Sequence, residues 1–118
     1  MAVVVLKVCT LQEWAAARAS GTYAGSQDDR RDGFIHLSTP AQLAETLLRH
    51  FKMRTGLCVV AFDADRLGEA LRWESSRNGD LFPHVYGTLD PSTALWEAAL
   101  PLRPDGTHVL PPEVGRHA

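Results

Sequence analysis

The sequence predicts an α+β protein. Up to about residue 70, strand-like apolar runs alternate with segments that carry helix-start signals, and beyond it short strand-like runs follow one another directly. A doubly wound α/β sheet would continue the alternation. A chain of 118 residues is long enough to bury one core. We therefore expect one α+β domain over residues 1–102, followed by a proline-containing C-terminal tail over 103–118.

The first strand and helix are indicated by residues 3–21. Val3–Cys9 is a run of mostly β-branched and aliphatic residues, typical of a buried strand, and Lys7 interrupts it. Thr10 followed by Glu13 forms a capping box, which predicts a helix ending near Gly21. The residues expected to face inward are Leu11, Trp14 and Ala15.

The polar stretch 22–32 is predicted to be a mobile loop, and a short strand follows at Gly33–Leu37. Alternation in that strand places Ile35 and Leu37 on one face. The opposite face carries Phe34, His36 and Ser38.

A second helix is predicted to begin at Thr39. Pro40 occupies its first helical position, and Gln42 stands in the capping-box place. The predicted inward stripe is Leu43, Leu47, Leu48 and Phe51.

The second half of the chain is predicted to consist of short elements. Leu57–Phe62 is the most hydrophobic run and is expected to be a central strand. The remaining predictions are a helical turn at Asp63–Gly68, strands at Leu71–Glu74, Leu81–Tyr86 and Ala94–Leu102, and turns at Asn78-Gly79 and Asp90-Pro91. The tail contains three prolines and little apolar mass, so it is expected to lie on the surface or to fray.

Composition excludes several classes of function. A formal charge of -2 argues against a large DNA or RNA surface. No stretch approaches the ~20 apolar residues of a membrane span, and the opening apolar run is too short for a secretory signal. We therefore expect a cytoplasmic protein that binds neither DNA nor membranes. Cys9 and Cys58 lie in strand-like runs and are expected to be buried, reduced thiols.

Two stretches concentrate the polar and aromatic residues, and we expect them to meet in one pocket. These are Gly33–Pro40 and Leu71–Gly87. His36 offers a donor, an acceptor and a proton affinity suited to catalysis, although a structural histidine bonded to a loop carbonyl is an equal alternative. His84 and Tyr86 share a face with Phe82, which suits a flat or sugar-like ligand. The alternative is that they only close the end of the sheet.

Arg72 and Glu74 share a strand face and allow two interpretations. They can form cross-strand ion pairs, or bind an anionic group and orient a hydroxyl. Arg77 and Asp80 are weaker candidates because turns favour polar residues. No phosphate-binding glycine loop, CxxC, HExxH or GxSxG motif occurs. We predict no metal site, since Glu74, His84 and His36 lack the close paired spacing of metal ligands.

Three motifs together carry a family resemblance. The runs GFIHLST at Gly33–Thr39, LRWE at Leu71–Glu74 and FPHVYG at Phe82–Gly87 resemble a bacterial family of small proteins, domain of unknown function 952. The resemblance implies an ADP-ribosyltransferase-like fold with a split mixed β-sheet, two main helices and a nucleotide-binding cleft. GFIHLST is also similar to a strand of the RNA 2'-phosphotransferases, which use NAD, with His36 as the matching histidine. Those enzymes have a His-Gly-Thr strand where Lys7–Thr10 stands here.

These observations lead to a hypothesis about the site. The proposed catalytic residues are His36, Glu74 and His84, and the proposed cofactor-binding residues are Lys7, Ser38, Thr39, Arg72 and Tyr86. We expect a transferase-like enzyme whose small-molecule ligand is a nucleotide or of ADP-ribose type, and the resemblance makes NAD a possible cofactor. The alternatives are a binding module that has lost the reaction and a structural protein.

Overall fold

A computed structural model describes residues 3–76 and 79–116. Within them, six strands form two three-stranded sheets, ordered β1-β3-β6 and β2-β5-β4. The strands are β1 Val4–Thr10, β2 Ile35–His36, β3 Leu57–Asp63, β4 Leu71–Ser75, β5 Leu81–Val85 and β6 Trp96–Ala99. The helices are α1 Leu11–Ser20, α2 Gln27–Asp32, α3 Leu43–His50, α4 Ala64–Leu67 and α5 Pro112–Gly115. The α+β class is thus confirmed.

Strands β1 and β3 of the first sheet are buried on both faces, which explains their nearly continuous apolar sequences. β3 is its central strand, as the sequence predicted, and it pairs with β1 and β6. One core cluster contains Val5, Cys9, Cys58, Val60 and Phe62, and the other contains Leu6, Val8, Leu57, Val59 and Ala61. Lys7 falls on the face of the first cluster, since side chains alternate along a strand.

The second sheet lies beside the first and carries both histidine-bearing stretches. β5 is its central strand and pairs with β2 and β4. An isolated bridge between Leu6 and Ser38 connects the two sheets through backbone hydrogen bonds of 2.7 and 2.9 Å. All strand pairs of the described residues are antiparallel. The expectation of a mixed sheet is therefore wrong.

Helix α1 begins where the sequence predicted. The Thr10–Glu13 capping box is present, and Gly21 ends the helix in the left-handed conformation at φ 86°. Trp14 is buried, but Leu11 and Ala15 are exposed, contrary to expectation. The buried face is formed by residues 14 and 17, and residue 15 lies about 100° around the helix from residue 14.

The predicted mobile loop at 22–32 is wrong, because residues 27–32 form helix α2. Ser26 caps this helix, and Asp29 completes the capping box by accepting a hydrogen bond from the Ser26 N–H at 2.9 Å. Gly33 ends the helix at φ 86°. The charged sequence of residues 27–32 resembles a loop, although Ser26 and Gly33 are the start and end signals of a helix.

Helix α3 is preceded by a 3-10 turn at Pro40–Gln42, with Thr39 and Gln42 forming the predicted capping box. Leu43 and Leu47 are buried as expected. Leu48 is 50% exposed, so its predicted inward position is wrong. Fewer than the four predicted side chains are therefore buried against the sheet.

The C-terminal segment is packed more closely than the sequence suggested. Val114 is buried in the second core cluster and His108 is 5% exposed. The His108 ring bonds the carbonyl oxygen of Arg54 at 2.8 Å. The segment is therefore anchored by Gly106, His108 and Val114, so the expectation of a frayed tail is wrong, while residues 103–105 are exposed at the surface as expected.

Two further features complete the fold. The helical turn after Asp63 is confirmed as α4, and the turn after Asp90 as a 3-10 turn. Arg77 and Asn78, the latter being half of the predicted Asn78-Gly79 turn signal, lie outside the described residues. No helix in the described ranges has the length and apolar character needed to span a bilayer.

The different burial of two leucines on α3 can be tested directly. Leu43→Ala removes a fully buried side chain, so we expect it to lower the free energy of unfolding by about 2–5 kcal/mol. Leu48→Ala, on the exposed face, is the matched control and should change it by less than about 1 kcal/mol. Urea unfolding followed by circular dichroism measures both. Equal losses would contradict the assignment of the buried face.

Candidate functional site

The two histidine-bearing stretches meet, as the sequence predicted. His36 and His84 are directly opposite each other in the β2–β5 pair, with ring centroids 5.6 Å apart. Phe34 packs against both rings, at centroid distances of 4.6 Å and 4.1 Å. It is stacked on His84 with an interplanar angle of 27°. The aromatic contacts hold both imidazoles at one place on the sheet.

Both imidazoles line a cleft of about 560 Å³. The cleft is bounded by β1, α2, β2 and α3, and this size suits a small-molecule ligand. The polar side chains in its wall include Lys7, His36, Ser38, Thr46, Arg54 and His84.

The polar centre of the cleft is Asp29, whose carboxylate is 2% exposed. Its Oδ1 accepts hydrogen bonds from the His36 backbone N–H at 3.1 Å and from His36 Nδ1 at 2.6 Å. Its Oδ2 accepts from Lys7 Nζ at 2.7 Å and from the Ser26 backbone N–H at 2.9 Å. One buried carboxylate thus connects β1, α2 and β2.

The charge of Asp29 is stabilised by these donors. Burial by itself would raise the pKa of its carboxyl group, but the bonds from His36 and Lys7 and the Lys7 charge outweigh burial and hold the pKa well below its ordinary value. Lys7 Nζ also donates to the His36 carbonyl oxygen at 3.1 Å. The lysine that interrupts β1 therefore has a structural partner.

His36 has a carboxylate at each ring nitrogen. Nδ1 faces Asp29, and Nε2 lies 3.0 Å from Asp32 Oδ2. The ring can donate to both carboxylates only when each nitrogen carries a proton. The Arg31 hydrogen bond and the nearby histidine hold the pKa of the Asp32 carboxyl below its usual value. His36 is consequently engaged on both sides.

His84 is engaged on one side only. Its Nδ1 lies 2.7 Å from Glu74 Oε1, and the Tyr86 hydroxyl donates to the same oxygen at 2.8 Å. The bonds from His84 and Tyr86 lower the pKa of Glu74, and the bond to Glu74 raises that of Tyr86. Within the described ranges, Nε2 of His84 has no hydrogen-bond partner. An ionised Glu74 fixes the proton on Nδ1, which leaves Nε2 as an acceptor.

The other predicted residues are distributed around the cleft. Ser38 lines it, and its hydroxyl lies 2.9 Å from that of Thr46. Arg72 lies over the Tyr86 ring at 4.7 Å, and neither side chain lines the cleft. The remaining two, Thr39 and Glu74, are also outside its wall. Thr39 caps the turn before α3.

Sequence reasoning missed several residues of the cleft. These are Asp29, Asp32, Thr46 and Arg54. A signal for Asp29 was available, because Ser26 stands three residues before it in a capping-box pattern. No comparable local signal marks Arg54, which follows α3 and lies 5.1 Å over the Phe51 ring.

The cleft wall provides hydrogen-bond donors and an acceptor. In residues 3–76 and 79–116 no three histidine, cysteine, aspartate or glutamate side chains are grouped to hold a metal ion.

The fold and the site define a small α+β protein with a cleft lined by paired histidines. The chain belongs to the family described as "Protein of unknown function (DUF952)", whose model matches residues 8–97. The crystal structure of protein CC0527 from Caulobacter crescentus is similar, with 41% identity, a TM-score of 0.91 and coverage of 95% of this chain and 98% of that one.

A solution NMR structure of CC0527 gives the same result. It is 42% identical, has a TM-score of 0.80, and covers 98% of this chain and 96% of that chain. A search of curated proteins gave no significant match. The family and the fold are thus shown, while the activity has to be inferred from the site.

Replacing Asp29 tests whether it organises the cleft. Asp29→Asn leaves the Lys7 ammonium group buried without its counter-charge, so we expect a loss of about 3 kcal/mol or more in the free energy of unfolding at neutral pH. The control is Asp28→Asn on the same helix, with a 74% exposed side chain and an expected loss below about 1 kcal/mol. Urea unfolding measures both.

The same variant gives a pH dependence. The folded-state pKa of Asp29 is depressed, so its stabilisation is complete above the unfolded-state pKa of about 3.9 and is lost as the pH falls below it. The difference between wild type and Asp29→Asn should therefore be largest at neutral pH and shrink below about pH 4. A difference that stayed constant from pH 7 to pH 3 would show that the carboxylate charge is not what stabilises the site.

Proposed function

We propose that the cleft binds a nucleotide or ADP-ribose-type ligand and that the protein is a transferase-like enzyme in which His84 is the general base. The observation that carries the proposal concerns His84, which lines the cleft. Its Nδ1 is hydrogen-bonded to Glu74, and among the described residues its Nε2 has no hydrogen-bond partner. An oriented histidine with one free nitrogen suits proton abstraction from a hydroxyl group. In this reaction the attacking hydroxyl would lose its proton to Nε2 as its oxygen bonds to the anomeric carbon of the ribose. The bond from that carbon to the nicotinamide nitrogen would break, and nicotinamide would leave as a neutral molecule.

The nucleotide character of the ligand is supported by the chemistry of the wall. Phe51 and Phe82 provide aromatic surfaces, and Ser38 and Thr46 provide hydroxyl groups. Arg54 lines the same space, and no ion pair to a carboxylate occupies its guanidinium group among the described residues. A guanidinium group of this kind can bind a phosphate through two hydrogen bonds. The family resemblance to ADP-ribosyltransferase-like proteins supports the same ligand class.

The proposal changes two roles that were expected from the sequence. Arg72 was expected to neutralise phosphate with Lys7, but Arg72 lies over Tyr86 outside the cleft and Asp29 already balances Lys7. Arg54 takes the phosphate-binding role in the proposal. Glu74 becomes a positioning residue that acts through His84.

A non-catalytic binding module is the second candidate. The observation that favours it is the engagement of His36 by Asp29 and Asp32, which leaves neither ring nitrogen available for proton transfer. Such a protein would retain the cleft and bind its ligand without turning it over.

A thermal-shift measurement with ADP-ribose tests whether the cleft binds this ligand and whether Arg54 holds it there. A ligand at about 100 times its Kd stabilises the folded state by about 2.7 kcal/mol, so the melting temperature should rise by several degrees. Arg54→Ala should abolish most of this rise, because the guanidinium group in the cleft is lost. Arg72→Ala, a matched arginine outside the cleft, should retain it. Loss with Arg72→Ala but not with Arg54→Ala would place the ligand elsewhere.

Release of nicotinamide from NAD separates the enzyme from the binding module. We expect wild-type protein to release it, His84→Ala to release none, and Glu74→Gln to lower kcat by at least about tenfold, since the Nδ1 proton is no longer fixed by a charged acceptor. The KM for NAD should change little in Glu74→Gln. Stabilisation by ADP-ribose without any turnover by wild type would favour the module.

A further inference from the structure

Cys9 and Cys58 are directly opposite each other in the β1–β3 pair. Two residues further along the same strands, the Leu11 N–H donates a hydrogen bond to the Gly56 carbonyl oxygen. Because hydrogen-bonded and non-hydrogen-bonded pairs alternate along an antiparallel ladder, Cys9 and Cys58 also form a hydrogen-bonded pair. The Cα atoms of such a pair lie about 5.5 Å apart, within the range that a disulfide requires. Both thiols are free, and their Sγ atoms are 3.7 Å apart.

The pair lies directly behind the cleft. Cys9 contributes to the cleft wall together with its neighbours Lys7, Val8 and Thr10. Both cysteines are only 2% exposed. Cys9 lines the cleft and Cys58 does not, so we take the cleft as the side from which a small reagent approaches the pair.

We propose that Cys9 and Cys58 are a reversible oxidation site that hydrogen peroxide converts to a cross-strand disulfide. One thiolate of the pair attacks a peroxide oxygen, and the O–O bond breaks. The products are a sulfenic acid and hydroxide, which takes up the proton that the thiol had lost. The second sulfur then attacks the sulfenic sulfur and displaces hydroxide, which leaves as water with the second thiol proton. The two sulfurs are oxidised, and the peroxide is reduced to two molecules of water.

The environment of the sulfurs supports this order of events. The hydrogen bond between them lowers the pKa of Cys58, because Cys9 donates to its thiolate, and the same bond raises the pKa of Cys9. One of the two thiols therefore loses its proton more readily than the other. The resulting thiolate is in contact with the second thiol, which later forms the disulfide with it. The proposal does not depend on the identity of the ligand in the cleft.

Peptide mapping of the folded, reduced full-length chain tests the proposal. After hydrogen peroxide treatment, we expect a Cys9–Cys58 cross-linked peptide whose mass is lower by two hydrogen atoms and which dithiothreitol separates. The melting temperature of the oxidised chain should rise by several degrees and return on reduction, because the bond joins residues 49 positions apart. Mapping at the peptide level keeps methionine oxidation from being mistaken for the reaction.

The single variants Cys9→Ser and Cys58→Ser are the controls. Each should show no peroxide-dependent rise in melting temperature. After circular dichroism confirms folding, each should hold the remaining cysteine as a sulfenic acid that a dimedone probe labels once the treated chain is unfolded. Thiols at both positions that are alkylated after the peroxide-treated wild type is unfolded would overturn the proposal. So would disulfides that join separate chains, and this result does not depend on the variants folding.

Discussion

The organisation of the cleft depends on one buried carboxylate. Removing an aspartate from water is costly, and Asp29 compensates for this cost with four hydrogen bonds, two of them from the side chains of Lys7 and His36. The three donor residues, Lys7, Ser26 and His36, belong to different parts of the chain: β1, the start of α2, and β2. Gly25 keeps the approach open, since a Cβ at that position would lie 2.8 Å from the Asp29 Cβ. The carboxylate therefore fixes both the packing of α2 and the position of His36.

The two histidines differ in how many of their ring nitrogens have a carboxylate partner. His36 lies between Asp29 and Asp32. His84 has one carboxylate partner, Glu74. Phe34 packs against both rings. In the proposed function, His84 therefore carries the chemistry and His36 supports the wall of the cleft.

Local signals in the sequence predicted the elements but not the central contact. Capping residues located α1 and α3, and alternation placed His36 and His84 on the polar faces of their strands, which are neighbours in one sheet. Lys7 was recognisable as an unusual residue in a buried strand, yet its partner is 22 residues away on a helix whose charged sequence resembles a loop. Long-range pairing of that kind leaves no periodic pattern. Arg54 was missed for the same reason, since only the folded chain brings it to the cleft.

The ionisation of Asp29 is the most direct test of this account. Carbon-13 NMR of the folded chain follows the Asp29 carboxyl carbon as the pH is lowered. If Lys7 and His36 hold the carboxylate as described, its signal should not titrate near the ordinary aspartate pKa of about 3.9, whereas that of exposed Asp28 serves as the reference for a solvated carboxyl. An Asp29 midpoint near 4 in the folded protein would contradict the account, because the buried carboxylate would then lack the partners on which the cleft depends.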